Sequence, residues 1–155
     1  MKPLIKKMPV LLAALVATCF AFMSFTAPKG GEGFEIFLDN KVVLQKFGNQ
    51  MNTVSVLELD AAAMNGELQV KYHHCGQVGK NRVITITNGE AKVLKTWRYD
   101  DAKQQAASMS CSVKEIITLQ SSGTEKLNLY YSSSELPGGR LLVSIVPKAK
   151  AVVKL

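Results

Sequence analysis

Short runs of β-branched and apolar residues, each closed by turn residues, fill the chain beyond Gly33 and leave room for little except strands. Leu68, Val70 and Tyr72 alternate with Gln69 and Lys71, the pattern of a strand with one buried face. Residues 34–38 and 42–44 flank Asp39-Asn40-Lys41 and read as a hairpin. Residues 53–59 come next, with Val54, Val56, Leu57 and Leu59 as the apolar positions. Residues 82–87 and 92–99 meet around Asn88-Gly89, the strongest hairpin signal in the chain. Further runs at 116–119, 127–132, 140–146 and 151–155 complete the strands. Helical signals are few. Residues 60–64 predict one turn, capped by Asp60 and stopped by Asn65-Gly66. Residues 101–109, rich in Ala and Gln, read as about two helical turns or as a loop. The spacing predicts an all-β fold, an antiparallel β-sandwich with a barrel as the alternative, carrying one or two short helical turns.

A second constraint comes from the start of the chain. Lys2, Lys6 and Lys7 precede twenty uncharged, mostly apolar residues, 8–27, and then Pro28-Lys29-Gly30-Gly31. A basic start, an apolar stretch and a break describe a signal peptide or an uncleaved signal anchor. Cys19 and Ala21 suit cleavage after Ala21; retention as an anchor and lipidation at Cys19 are the two alternatives. Each of the three exports the C-terminal part of the chain, because the lysines hold the N-terminus inside. The organisation predicted is therefore an export segment at 1–27, a Gly-rich linker at 28–33 and a single domain at 34–155. The expected compartment is periplasmic or extracellular, with contact to a membrane only through residues 8–27 if they are retained. The lysine-bearing leader and the absence of an Asn-x-Ser/Thr acceptor favour a bacterial protein.

Export changes how charge and cysteine are read. The formal charge of +7 comes from 19 basic and 12 acidic residues, and removing the three leader lysines leaves 16 against 12. The basic residues are scattered, with one local cluster at Lys148, Lys150 and Lys154, so a nucleic-acid partner is not expected. Only Cys75 and Cys111 lie beyond the leader, 36 positions apart. Two cysteines in an exported domain predict a disulfide, worth about 3–4 kcal/mol for a loop of that size.

Candidate chemistry centres on His73-His74-Cys75-Gly76. Imidazole and thiolate suit zinc or copper, and the alternative to the disulfide is a metal site built from His73, Cys75 and Cys111. Strand alternation places His73 and Cys75 on one face and His74 on the face of Leu68, Val70 and Tyr72. No CxxC or HxxxH spacing supports a metal, so neither metal nor cofactor is expected, with His74 partly buried and hydrogen-bonded and His73 exposed. Asp100-Asp101 reads as a helix cap. The serines, Ser133 among them, have no nucleophile-elbow motif, which leaves a small secreted hydrolase as a distant alternative. Trp97 shares parity with Val93 and Tyr99 and reads as core. Tyr130 and Tyr131 are consecutive, so Tyr130 points outward as a surface-contact candidate. The function expected is an exported, non-catalytic binding or structural domain. Its partner is an unidentified protein or glycan, bound through loops or an exposed strand edge.

Overall fold

The computed structural model describes residues 31–121 and 126–148. The expected export segment, Cys19 and the run at 151–155 lie outside the described residues. Nine strands form two open sheets: β1 (Gly33–Leu38), β2 (Lys41–Phe47), β3 (Ser55–Leu59), β4 (Glu67–His73), β5 (Arg82–Thr87), β6 (Val93–Tyr99), β7 (Met109–Ser112), β8 (Leu127–Ser133) and β9 (Leu136–Pro147). The first sheet runs β2-β1-β4-β7 and the second β3-β9-β8-β5-β6. This is the sandwich that the alternation predicts, and neither sheet closes into a barrel.

Alternation sets the core. In β4, Leu68, Val70 and Tyr72 are buried while the residues between them are half covered. In β8, Leu127, Leu129 and Tyr131 do the same from the opposite sheet. Side chains of period two on both sheets thus meet in one apolar layer.

The turns reflect local chemistry. Asp39 and Asn40 both take positive φ, 49° and 64°, as the tight β1–β2 hairpin requires, and the Asp39 carboxylate also accepts the Glu67 N–H at 3.0 Å. The β5–β6 hairpin forms as expected, but the left-handed residue is Ala91 (φ 63°) rather than Gly89. Asn88 holds that longer loop, its Oδ1 accepting the Glu90 and Lys92 N–H groups at 3.1 and 2.9 Å. Asp60 caps a single 3-10 turn, Ala61–Ala63, by accepting the Ala62 N–H at 3.0 Å.

Two expectations need correction, and the reading of 101–109, open between helix and loop, resolves as a loop over 101–108. Residues 116–119 belong to an α-helix, α1 (Val113–Ser121), not a strand. Val113 and Ile116 are fully buried at helical spacing, and that packing overrides the β propensity of the Ile-Ile-Thr run. Residues 101–108 form no helix, because the Arg82 guanidinium takes their flanking carbonyls and Ala106 turns to φ 52°. Finally, the sandwich is not wholly antiparallel: β3 pairs parallel with β9, Ser55 opposite Val143 through Leu59 opposite Pro147. The chain visits the other sheet between these strands and returns, the long crossover that a parallel pair needs.

Candidate functional site

The expected disulfide fails in three dimensions. Cys75 and Cys111 are both free thiols. Cys111 on β7 stands opposite Leu68 on β4, while Cys75 lies seven residues further along the β4 chain. The five residues of strand from Leu68 to His73 alone span about 16 Å at ~3.3 Å each, and the two beyond cannot bring Cys75 back within the bonding limit of about 7 Å between Cα atoms. Cys111 faces the core, its thiol 3.2 Å from the Tyr99 hydroxyl, and burial pushes its pKa up to about 11. The metal alternative of His73, Cys75 and Cys111 falls with it, since the three side chains point to different places. Among the described residues no three His, Cys, Asp or Glu side chains are grouped as metal ligands would be.

His73 and His74 do separate to opposite faces. His73 lies on the outer face of the first sheet, half buried rather than exposed, with Nε2 3.1 Å from the Glu35 carboxylate and its ring edge-on to Phe47 at 5.1 Å. Parity ends at His73. His74 bridges back to Gln77, and Cys75 takes φ 49° in the turn between, so Cys75 is exposed and does not share the face of His73.

His74 turns inward and closes the mouth of the sandwich. Its ring lies 4.7 Å from that of Tyr72 and 5.5 Å from that of Tyr131, and the two tyrosines stack at 4.4 Å across the sheets. His74 Nε2 sits 2.8 Å from the Tyr131 hydroxyl. Burial holds the imidazole pKa below its usual value, against the pull of Glu135 and Glu32, and the ring tautomer sets which partner donates in the His74–Tyr131 hydrogen bond. The Tyr72 hydroxyl donates to Glu32 Oε1, and Arg140 donates to Glu32 Oε2 at 3.1 Å. Burial, then the Glu32 carboxylate, raises the Tyr72 pKa. Gly79 is required beside this group: a Cβ there would meet the Tyr131 hydroxyl at 2.9 Å and Arg82 Cδ at 3.0 Å. Outside it lies a shallow cleft of about 190 Å³ lined by Glu32, His74, Cys75, Gln77 and Glu135.

This cluster joins the two sheets. Ser133 Oγ comes within 3.4 Å of His74 Nε2, the nearest approach to a nucleophile–base pair. The same nitrogen is engaged more closely by Tyr131, and Ser133 is only 5% exposed. Asp101 is not a helix cap; its Oδ1 accepts the Asn81 N–H at 2.8 Å and ties two loops. Trp97 lies on the inner side at the sheet margin, half covered, and its Nε1 donates to Glu115 of α1 at 3.0 Å. Val93, grouped with it by parity, is exposed. Tyr130 does point away from the core and is half covered there.

An apolar surface lies at one margin of the sandwich, where, among the described residues, each sheet ends in an edge strand, β2 in one and β3 in the other. Val42, Val43, Val54 and Val56 are exposed there, four of the seven exposed large apolar residues among those described. Val54 and Val56 are 56% and 62% exposed. The opposite margin is bridged. Tyr99 of β6 donates to the Ser110 carbonyl of β7 at 2.6 Å, and Lys95 and Trp97 both reach Glu115. At the open margin Lys46 reaches across to the Thr53 carbonyl and hydroxyl, beside a groove of about 530 Å³ lined by Gln45, Asn49, Gln50 and Ser55. Sequence reasoning missed this margin, although the signal was present: residues 54–59 are apolar on both parities, and a lone edge strand buries only one.

No protein-family model matches this chain, and no curated protein matches it either.

Proposed function

We propose that this chain is an exported, non-catalytic β-sandwich that binds an extended polypeptide segment along the free edge of β3. The observation that carries the reading is the exposure of Val54 and Val56 on an edge strand whose outer backbone row pairs with no other described strand. Natural edges are blunted by lysine, proline or a cover, and an exposed apolar edge is instead a template for an added strand. Backbone pairing supplies affinity in that mode, and side chains at every second position supply selectivity. The leader at 1–27 supports the exported setting.

Selection of random linear peptides on the immobilised protein tests the reading. Peptides that bind are expected to alternate apolar with polar residues. They should lose about tenfold in affinity, ~1.4 kcal/mol, on Val56→Lys and little on Val93→Lys, a change at an equally exposed valine on the bridged margin. Peptides that bind Val56→Lys and parent equally, with circular dichroism unchanged, would overturn it.

A further inference from the structure

Lys46 carries a charge at a position where alternation calls for an apolar side chain. It stands opposite the buried Phe34 in the β1–β2 ladder, which turns it to the inner side of the first sheet, and it is only 7% exposed. Its ammonium donates to the Thr53 carbonyl and to the Thr53 hydroxyl, the latter at 2.9 Å, and that hydroxyl donates onward to the Gln50 carbonyl at 3.1 Å. Two of its three N–H donors are thereby used, and none of the ion pairs among the described residues includes it. A buried cation without a counter-charge is costly, and a carboxylate beside it offsets that cost. The groove of about 530 Å³ at this point is lined by Gln45, Asn49, Gln50 and Ser55, whose side chains are of the kind that donates hydrogen bonds to a carboxylate.

The groove is continuous with the edge of β3, because Ser55 both lines it and begins that strand. A segment added antiparallel to β3 passes Leu59 first and Ser55 last, so its C-terminal end arrives at Thr53 and Lys46. The charges along β3 agree with that direction. Glu58 is exposed on the same parity as Val56 and is in no ion pair among the described residues, and Asp60 lies just beyond it. The N-terminal half of an antiparallel segment thus meets carboxylates, and its C-terminal end meets a cation. A parallel segment would bring its C-terminus to Glu58 and Asp60 instead, with like charges together.

We infer that Lys46 and the groove around it bind the free C-terminal carboxylate of the segment that pairs antiparallel with β3. The inference rests on the proposed edge binding for the strand and on Lys46 for the carboxylate. The test uses random peptides displayed with free C-termini and selected on the parent protein. Selected sequences without Asp or Glu are then made both as the free acid and as the C-terminal amide. The amide should bind the parent at least about tenfold more weakly, and the two forms should bind Lys46→Met alike. The comparison on the parent needs no variant, so it stands even if Lys46→Met disturbs the fold. Equal binding of acid and amide by the parent would overturn the carboxylate site, and a retained loss on Val56→Lys would then leave edge binding standing. Peptides that need the free acid and Lys46 but ignore Val56→Lys would keep the carboxylate site and sink the edge reading. Binders that depend on an internal Asp or Glu and not on a free terminus would overturn the choice of the C-terminus. A selection that yields no binder would overturn both readings.

Discussion

Cys75 and Cys111 show how far one residue's chemistry depends on place. Cys75 is exposed at a left-handed turn position, and Cys111 is buried against Leu68 and Tyr99. Burial penalises the Cys111 thiolate, the reactive form. A thiol reagent at neutral pH, with peptide mass mapping, should therefore modify Cys75 in the native protein and Cys111 only after denaturation. Failure to label either cysteine before reduction would show that they are bonded after all. The wide separation in sequence suggested a bridge because pairing partners cannot be read from spacing. Only the register of β4 against β7 shows how far apart they lie.

At the scale of an element, Arg82 decides what residues 100–108 become. It is only 8% exposed at the start of β5. Its Nε and Nη2 donate to the Asp100 carbonyl at 2.9 and 2.8 Å, and its Nη1 to the Ala107 carbonyl at 2.9 Å. A run that composition favours as helix is thereby pinned open as a loop. Arg82→Ala should cost about 1–2 kcal/mol in chemical denaturation, since three charge-assisted hydrogen bonds to the partly buried Asp100 and Ala107 carbonyls are lost. It should also speed limited proteolysis within 100–108. Unchanged stability and cleavage would mean that the loop is held elsewhere. The helix α1 was legible in a way that propensity obscured. Ser112-Val113-Lys114-Glu115 is a capping-box sequence, and the Glu115 N–H does approach Ser112 Oγ, at 3.5 Å.

Across the whole molecule, the His74 group clasps the two sheets: His74 and Tyr72 come from one, Tyr131 and Arg140 from the other, and Glu32 links them. The groups facing His74 are Tyr72, Tyr131, Ser133, Glu32 and Glu135. Burial lowers its folded pKa beneath the unfolded value of about 6.5, so the unfolded chain binds its proton first. The cost is absent above about pH 6.5, grows as pH falls through that value and is complete below the folded pKa. Thermal unfolding should show stability falling as pH drops below about 6.5, and His74→Gln, which can still hydrogen-bond Tyr131, should flatten that fall. Equal losses in both proteins would remove His74 as the cause.

The sequence by itself determined most of the strands, though not β7 or the helix α1, and with them the hairpins at Asp39-Asn40 and Asn88, the Asp60 turn and the opposite facing of His73 and His74. Each depends on side-chain period or on turn chemistry within a few residues. The tertiary structure alone decided the rest. The parallel pairing of β3 with β9, the separation of the cysteines, the clasp between His74 and Tyr131 and the open margin at Val54 and Val56 all join residues distant in the chain. Alternation states which face of a strand is apolar. It does not state which strand lies beside it, and an edge is defined by the neighbour it lacks.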